Sequence, residues 1–294
     1  LQTMMNTIRR SGFAGSWYPG KATVVKERIS KWFSEVQTSG LERVKGVIVP
    51  HAGWTYSGRI AAESFAHMQG MDVDRVIVLG PCHRYYTRYC LLTGATKVET
   101  PCGVLDVDVE AQKKLNESGI YSHCSMMEEE REHSLEIELP FVRHLFENKA
   151  KVVMIMVGCV SEKQKKEYAK TLAPYLHDPK TVFVISSDFC HWGANFDFLY
   201  YDKSKGEIWQ STEALDREGA SLIEKQDAEG FARYMEETET TICGHNCIEI
   251  YLRALEESGL KTTTKLLRYG QSNKVTDIDD TSVSYCAMRT VLSD

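Results

Sequence analysis

Four uninterrupted apolar runs rich in valine and isoleucine constrain this 294-residue chain more than any other feature. They are VKGVIVP (44–50), DRVIVLGP (74–81), AKVVMIMVG (150–158) and KTVFVISSD (180–188). A strand with one wet face alternates apolar and polar residues; these runs do not, so both faces need cover. Helical periodicity fills the intervals at 22–36, 58–68, 134–148 and 161–176, and later at 212–226, 227–238 and 247–259. Strand-like TKLLRYGQS (264–272) and SVSYCAMRTVL (282–292) close the chain. Buried strands alternating with helices predict an α/β fold, a sheet between helical layers. Pro140 falls inside one helical pattern, so that helix either kinks there or begins later. No linker or repeat interrupts the sequence. One domain over 1–294 is expected, with residues 1–10 a flexible extension.

Charge and cysteine usage exclude several classes. A net charge of −6 argues against electrostatic nucleic-acid binding. The densest basic run, EKQKKEYAK (162–170), has glutamates interleaved at helical spacing and reads as a solvated helix face. No apolar stretch approaches the roughly 20 residues of a membrane span. The segment LQTMMNTIRRSG lacks the apolar core of a signal peptide. Nine cysteines without framework spacing are expected as reduced thiols in a cytoplasmic protein.

Three of the apolar runs end in similar fashion. Strand 44–49 runs into Pro50-His51-Ala52-Gly53, strand 75–79 into Gly80-Pro81-Cys82-His83, and strand 181–186 into Ser187-Asp188-Phe189-Cys190-His191. Parallel strands deliver their following loops to one edge, where ligands bind in open α/β sheets. His51, His83, Asp188 and His191 are therefore expected to share a site. Two further clusters bear on it. In EEREHSLEIELP (129–140), His133 and Glu136 are spaced to share a helix face, with His133 a candidate acid/base or supporting group. Glu132 and Glu136 suit orienting or surface roles near a helix N-terminus. In TTICGHNCIEIYL (240–252), Cys243 precedes a helix start, where a thiol's pKa is expected to fall. The cluster lacks the second ligand pair of a self-contained zinc motif, so Cys243 is a candidate to complete a site built elsewhere.

Eight ordered segments resemble the MEMO family, named for mediating receptor-driven cell motility: AGSWYP (14–19), PHAGWTYSG (50–58), LGPCH (79–83), EHSLEIELP (132–140), SSDFCHWG (186–193), YYDKSKGEI (200–208), TICG (241–244) and DTSVSY (280–285). The resemblance implies an α/β/α sandwich with a mixed, largely parallel sheet, similar to class III non-haem iron extradiol dioxygenases. It implies a metal set of His51, His83 and Cys243 for iron or copper, zinc being a further candidate. Redox-linked metal handling or oxidase-type chemistry follows, with His133, Asp188 and His191 as catalytic groups; catechol cleavage does not suit a thiolate in place of the dioxygenase carboxylate. The alternative it implies is a non-enzymatic adaptor binding phosphotyrosine peptides of signalling proteins, in a pocket lined by Trp17, Tyr56, Asp188 and His191. Hydrolysis by zinc-bound water is a third reading. The chain departs from the family's usual Gly-Pro-Ser-His-His, placing Cys82 before His83 and Arg84 after it.

Overall fold

The computed structural model describes residues 6–294, and the four apolar runs form the middle of its main sheet. In chain order, the first half holds β1 (Ile8–Arg9), α1 (Ala22–Ser34), β2 (Val44–Val49), α2 (Trp54–Phe65), β3 (Arg75–Pro81), β4 (Cys90–Leu92), β5 (Lys97–Thr100), β6 (Gly103–Asp106), α3 (Val109–Asn116), α4 (Met126–Glu130) and α5 (Leu139–Phe146). The second half holds β7 (Lys151–Val157), α6 (Glu162–Leu176), β8 (Thr181–Ser186), β9 (His191–Trp192), α7 (Ile208–Glu224), α8 (Ala228–Thr238), α9 (His245–Ser258), β10 (Thr262–Gln271) and β11 (Ser282–Leu292).

The main sheet runs β10-β11-β2-β8-β3-β7-β4, and β9 pairs with β11. Its central four strands are parallel, as the shared-edge argument requires. Antiparallel strands flank them: β11 beside β2, and β4 beside β7. Alternate side chains face opposite layers, which explains why the runs are apolar throughout. Ile48, Ile77, Val153 and Phe183 meet α6, α8 and α9, whereas Val47, Val78, Val152 and Val184 meet α1, α2 and α5. Each such side chain, when fully buried, contributes about 1.5–3 kcal/mol. The layers form an α/β/α sandwich with a mixed, largely parallel sheet. A small sheet, β1-β5-β6, packs beside the α5 layer.

Several boundaries differ from expectation for local reasons. Helix α5 begins at Leu139, placing Pro140 in its first turn, where no intrahelical N–H is required. Helix α6 starts at a capping box in which Ser161 and Gln164 exchange side-chain and backbone bonds. Its basic run is not wholly solvated: Lys165 is buried and pairs with Glu249 Oε2 at 2.5 Å and Glu162 Oε1 at 2.6 Å. The expected flexible extension is also corrected in part. Residues 1–5 lie outside the described region, but Arg9 is buried and bound to Glu136 Oε1 at 2.9 Å. All nine cysteines are unpaired thiols. No helix among the described residues is long and apolar enough to cross a membrane.

Candidate metal centre

The carboxyl ends of β2, β3 and β8 open into a cavity of about 620 Å³. Its lining includes Trp17, His51, His83, His133, Asp188, His191 and Cys243. The turn after β2 is tied to the turn after β8: the His51 and Ala52 N–H groups donate to Asp188 Oδ1 at 2.8 and 3.2 Å. Cys243 arrives from the start of α9. There the Gly244 N–H donates to Ser187 Oγ at 2.9 Å, and a Cβ at 244 would lie 2.5 Å from Ser187 Cβ and 2.6 Å from the Ser186 carbonyl oxygen. Only glycine lets the helix start approach β8 so closely.

Each central imidazole is anchored through Nδ1. His51 Nδ1 lies 2.9 Å from Ser186 Oγ, which in turn reaches the Ser134 carbonyl at 2.7 Å and Glu138 Oε1 at 2.8 Å. His83 donates its backbone N–H and, at 2.9 Å, its Nδ1–H to the Glu132 carboxylate. His191 Nδ1 faces two carbonyls, those of Phe189 at 2.8 Å and Thr241 at 2.9 Å, so that nitrogen carries the proton. Such bonds fix ring orientation and leave Nε2 as the basic nitrogen, the usual support for a metal-ligating histidine. His51 Nε2 stands 3.1 Å from Cys243 Sγ. The ligand atoms of His51, His83 and Cys243 all lie within 4.8 Å of one another, a group able to hold a metal ion. Two overlapping groups, His83–Glu132–His133 and Asp188–His191–Cys243, meet the same spacing.

Electrostatics set the protonation states. Burial, reinforced by the neighbouring His83, pushes His51 well below the usual imidazole range. Burial and His51 together bring His133 down to about 3, so both rings are neutral at neutral pH. Burial would raise Glu132, but the hydrogen bonds from His83 and Ser134 outweigh it and hold the carboxylate at about 2. Burial raises Asp188 above the usual carboxylate range.

The expected low-pKa thiolate at Cys243 is corrected. Burial of the sulfur, and then the Asp188 charge, push the thiol well above its usual value. The thiol also donates to the Asp188 carbonyl oxygen at 3.7 Å. Tyr56 stands apart as well: it is 65% exposed on α2 and is not among the cavity-lining residues. His133 does not pair with Glu136. Its ring stacks on His83 at 4.7 Å and meets Trp17 in a tilted contact at 4.1 Å, while buried Glu136 binds Arg9 and Tyr18. Glu132 is also buried, so neither glutamate is a surface residue, although Glu132 does orient His83. Arg84 is exposed and outside the lining. Ser186, Glu138 and Thr241, which support His51 and His191, carry no signal in the sequence beyond their nearness to the motifs.

Removing a hydrogen-bonded carboxylate behind a ligating histidine lowers metal affinity roughly 10–100-fold. Glu132→Gln is expected to do so here, in a metal titration monitored by competition with a chromophoric chelator. An unchanged affinity would show that His83 needs no such anchor.

The class these features define is an α/β/α protein with an imidazole–thiol pocket at the carboxyl edge of its parallel strands. Comparison with known proteins is more specific: a family model described as Memo-like protein matches residues 9–289. Protein MEMO1 of Xenopus laevis is 37% identical over 288 residues, covering 96% of this chain and 97% of that protein. Human Protein MEMO1 is 35% identical over 285 residues, covering 95% and 96% respectively. Protein memo-1 homolog of Caenorhabditis elegans is 35% identical, covering 95% of this chain and 81% of its own length. The chain belongs to the Memo-like protein family.

Proposed function

We propose that this protein binds iron or copper through His51, His83 and Cys243, and that it serves redox-linked metal handling or oxidase-type chemistry. The observation that carries the proposal is the 3.1 Å approach of His51 Nε2 to Cys243 Sγ, with His83 in the same cluster. Two imidazoles and a sulfur form a borderline-to-soft donor set, suited to copper, iron or zinc over magnesium or calcium. Three protein donors leave positions open for a small ligand. A bound iron or copper ion would supply one-electron chemistry.

The chain's own residues supply the rest. Asp188 locks the β2 and β8 turns together and holds Oδ2 3.8 Å from His51 Nε2. His191, with Nδ1 committed to carbonyls, presents Nε2 as a proton acceptor; His133, brought down to about 3, stays an uncharged ring in the same cavity at neutral pH. Trp17, Phe196, Ile242 and Val283 give the cavity its apolar wall. All nine thiols being unpaired suits a reducing, cytoplasmic setting.

The phosphotyrosine-peptide reading is less well supported. Trp17 offers an aromatic wall, but neither Lys nor Arg lines the cavity, and a phosphate dianion needs charged donors. Protein purified without chelators or nickel is expected to carry near-stoichiometric iron or copper and to consume oxygen when loaded. Metal without oxygen consumption retains handling and removes the oxidase reading. Stoichiometric zinc would favour hydrolysis; absence of all three metals would contradict the proposal.

A further inference from the structure

We infer a second binding site, sharing no lining residue with the metal pocket, for the phosphate group of a small polar molecule. It occupies a cavity of about 460 Å³ lined by Lys26, Ser30, Cys102, Arg143, His144 and Glu147, among others. Helices α1 and α5 and the turn between β5 and β6 supply these residues.

Arg143 carries the argument. Its Nε is buried with no hydrogen-bond partner, and among the described residues its guanidinium makes no ion pair. A cation in the last turn of α5 suits the negative end of that helix, but this role asks only for a solvated charge. Burying a charged donor without an acceptor is costly, so natural structures rarely leave one. The neighbouring backbone is shaped to admit the group. Gly103 has φ +123°, and a Cβ there would stand 2.9 Å from Arg143 Nη2 and 3.0 Å from Nε. Glycine at the β5–β6 turn therefore makes the space the guanidinium fills.

The other groups fit an anion. Lys26 has no acidic partner among the described residues, and neither does the Ser30 hydroxyl have a hydrogen-bond acceptor there. Burial, then the charge of Lys26, keeps His144 below its usual range, so at neutral pH its ring is an uncharged donor. Glu147 is the single acid on the lining against two fixed cations. A guanidinium fork with an ammonium beside it matches phosphate geometry. The volume admits more than an inorganic ion, and the lining holds no Phe, Tyr or Trp, which favours a polar body on the phosphate.

The test is thermal unfolding of the full chain with inorganic phosphate or glycerol 3-phosphate as probe, since a ligand of the native state raises the midpoint saturably. The parent is expected to respond to both probes, and more tightly to the ester if the body contributes. Arg143→Met should need at least roughly tenfold more probe for the same shift, as loss of a bidentate charged contact implies. It should be no less stable than the parent without probe, unlike the loss of a merely structural arginine. Lys26→Met should weaken the response, and His51→Ala should leave it intact. Should Arg143→Met not fold, Arg143→Lys, which keeps the charge and removes the bidentate fork, is expected to weaken the response in the same direction. No saturable response in the parent, an equal response in the variants, or a loss confined to His51→Ala would overturn the proposal.

Discussion

Cys243→Ser is expected to lower Cu(I) or Fe(II) affinity at least tenfold (~1.4 kcal/mol or more), because losing a ligand should exceed the roughly 10–100-fold cost of losing its support. Serine keeps the size of the residue and removes the soft donor. His51→Ala should act likewise, since its Nε2 lies 3.1 Å from the sulfur. Cys286→Ser is the control: Cys286 is buried in β11, within the core formed with α6 and α9, and should leave affinity unchanged. The pH dependence supplies a second readout. Burial and Asp188 hold the Cys243 thiol protonated at neutral pH, so metal binding must displace a proton. Parent affinity should rise with pH across the neutral range, and Cys243→Ser should lose that slope. Anaerobic competition titrations at several pH values check both expectations.

Glu136→Ala is expected to cost about 3–5 kcal/mol of stability, the range for breaking a buried pair and leaving one charge uncompensated. Glu136 Oε1 accepts from Arg9 at 2.9 Å and from the Gly12 N–H at 3.1 Å; Oε2 accepts from the Phe13 N–H and the Tyr18 hydroxyl, each at 2.9 Å. One carboxylate thus holds the segment that ends in Trp17 against the turn bearing His133. Glu130→Ala, which removes an exposed bond to the Arg10 N–H, should stay within about 0.5 kcal/mol. Chemical denaturation should show a lower midpoint for Glu136→Ala at unchanged slope. A shift no larger than that of Glu130→Ala would contradict the assignment.

The sheet was legible because its strands are buried on both faces, and such strands write their burial directly into the sequence. The convergence of His51, His83 and Asp188 was legible for the same reason, since parallel neighbours share a carboxyl edge. Strands β4, β5 and β6 were not: they span three or four residues, too few to establish a period. Glu132 and Glu136 sit in a charged run indistinguishable from a solvated helix start, and only tertiary contacts with His83 and Arg9 bury them. Lys165 was hidden in the same way, because its partner Glu249 lies on another helix. Cys243 misled in the opposite sense. Its position before α9 was read correctly, but its ionisation depends on Asp188 and on burial, neither of which is local in sequence.

The most direct test of the metal proposal is X-ray absorption at the metal edge of the chain loaded with Cu(I) or Fe(II). The expected result is a first shell of imidazole nitrogens with one sulfur scatterer, the sulfur disappearing in Cys243→Ser and persisting in Cys286→Ser. A shell of nitrogen and oxygen only, or a sulfur contribution indifferent to Cys243→Ser, would contradict the His51–His83–Cys243 centre.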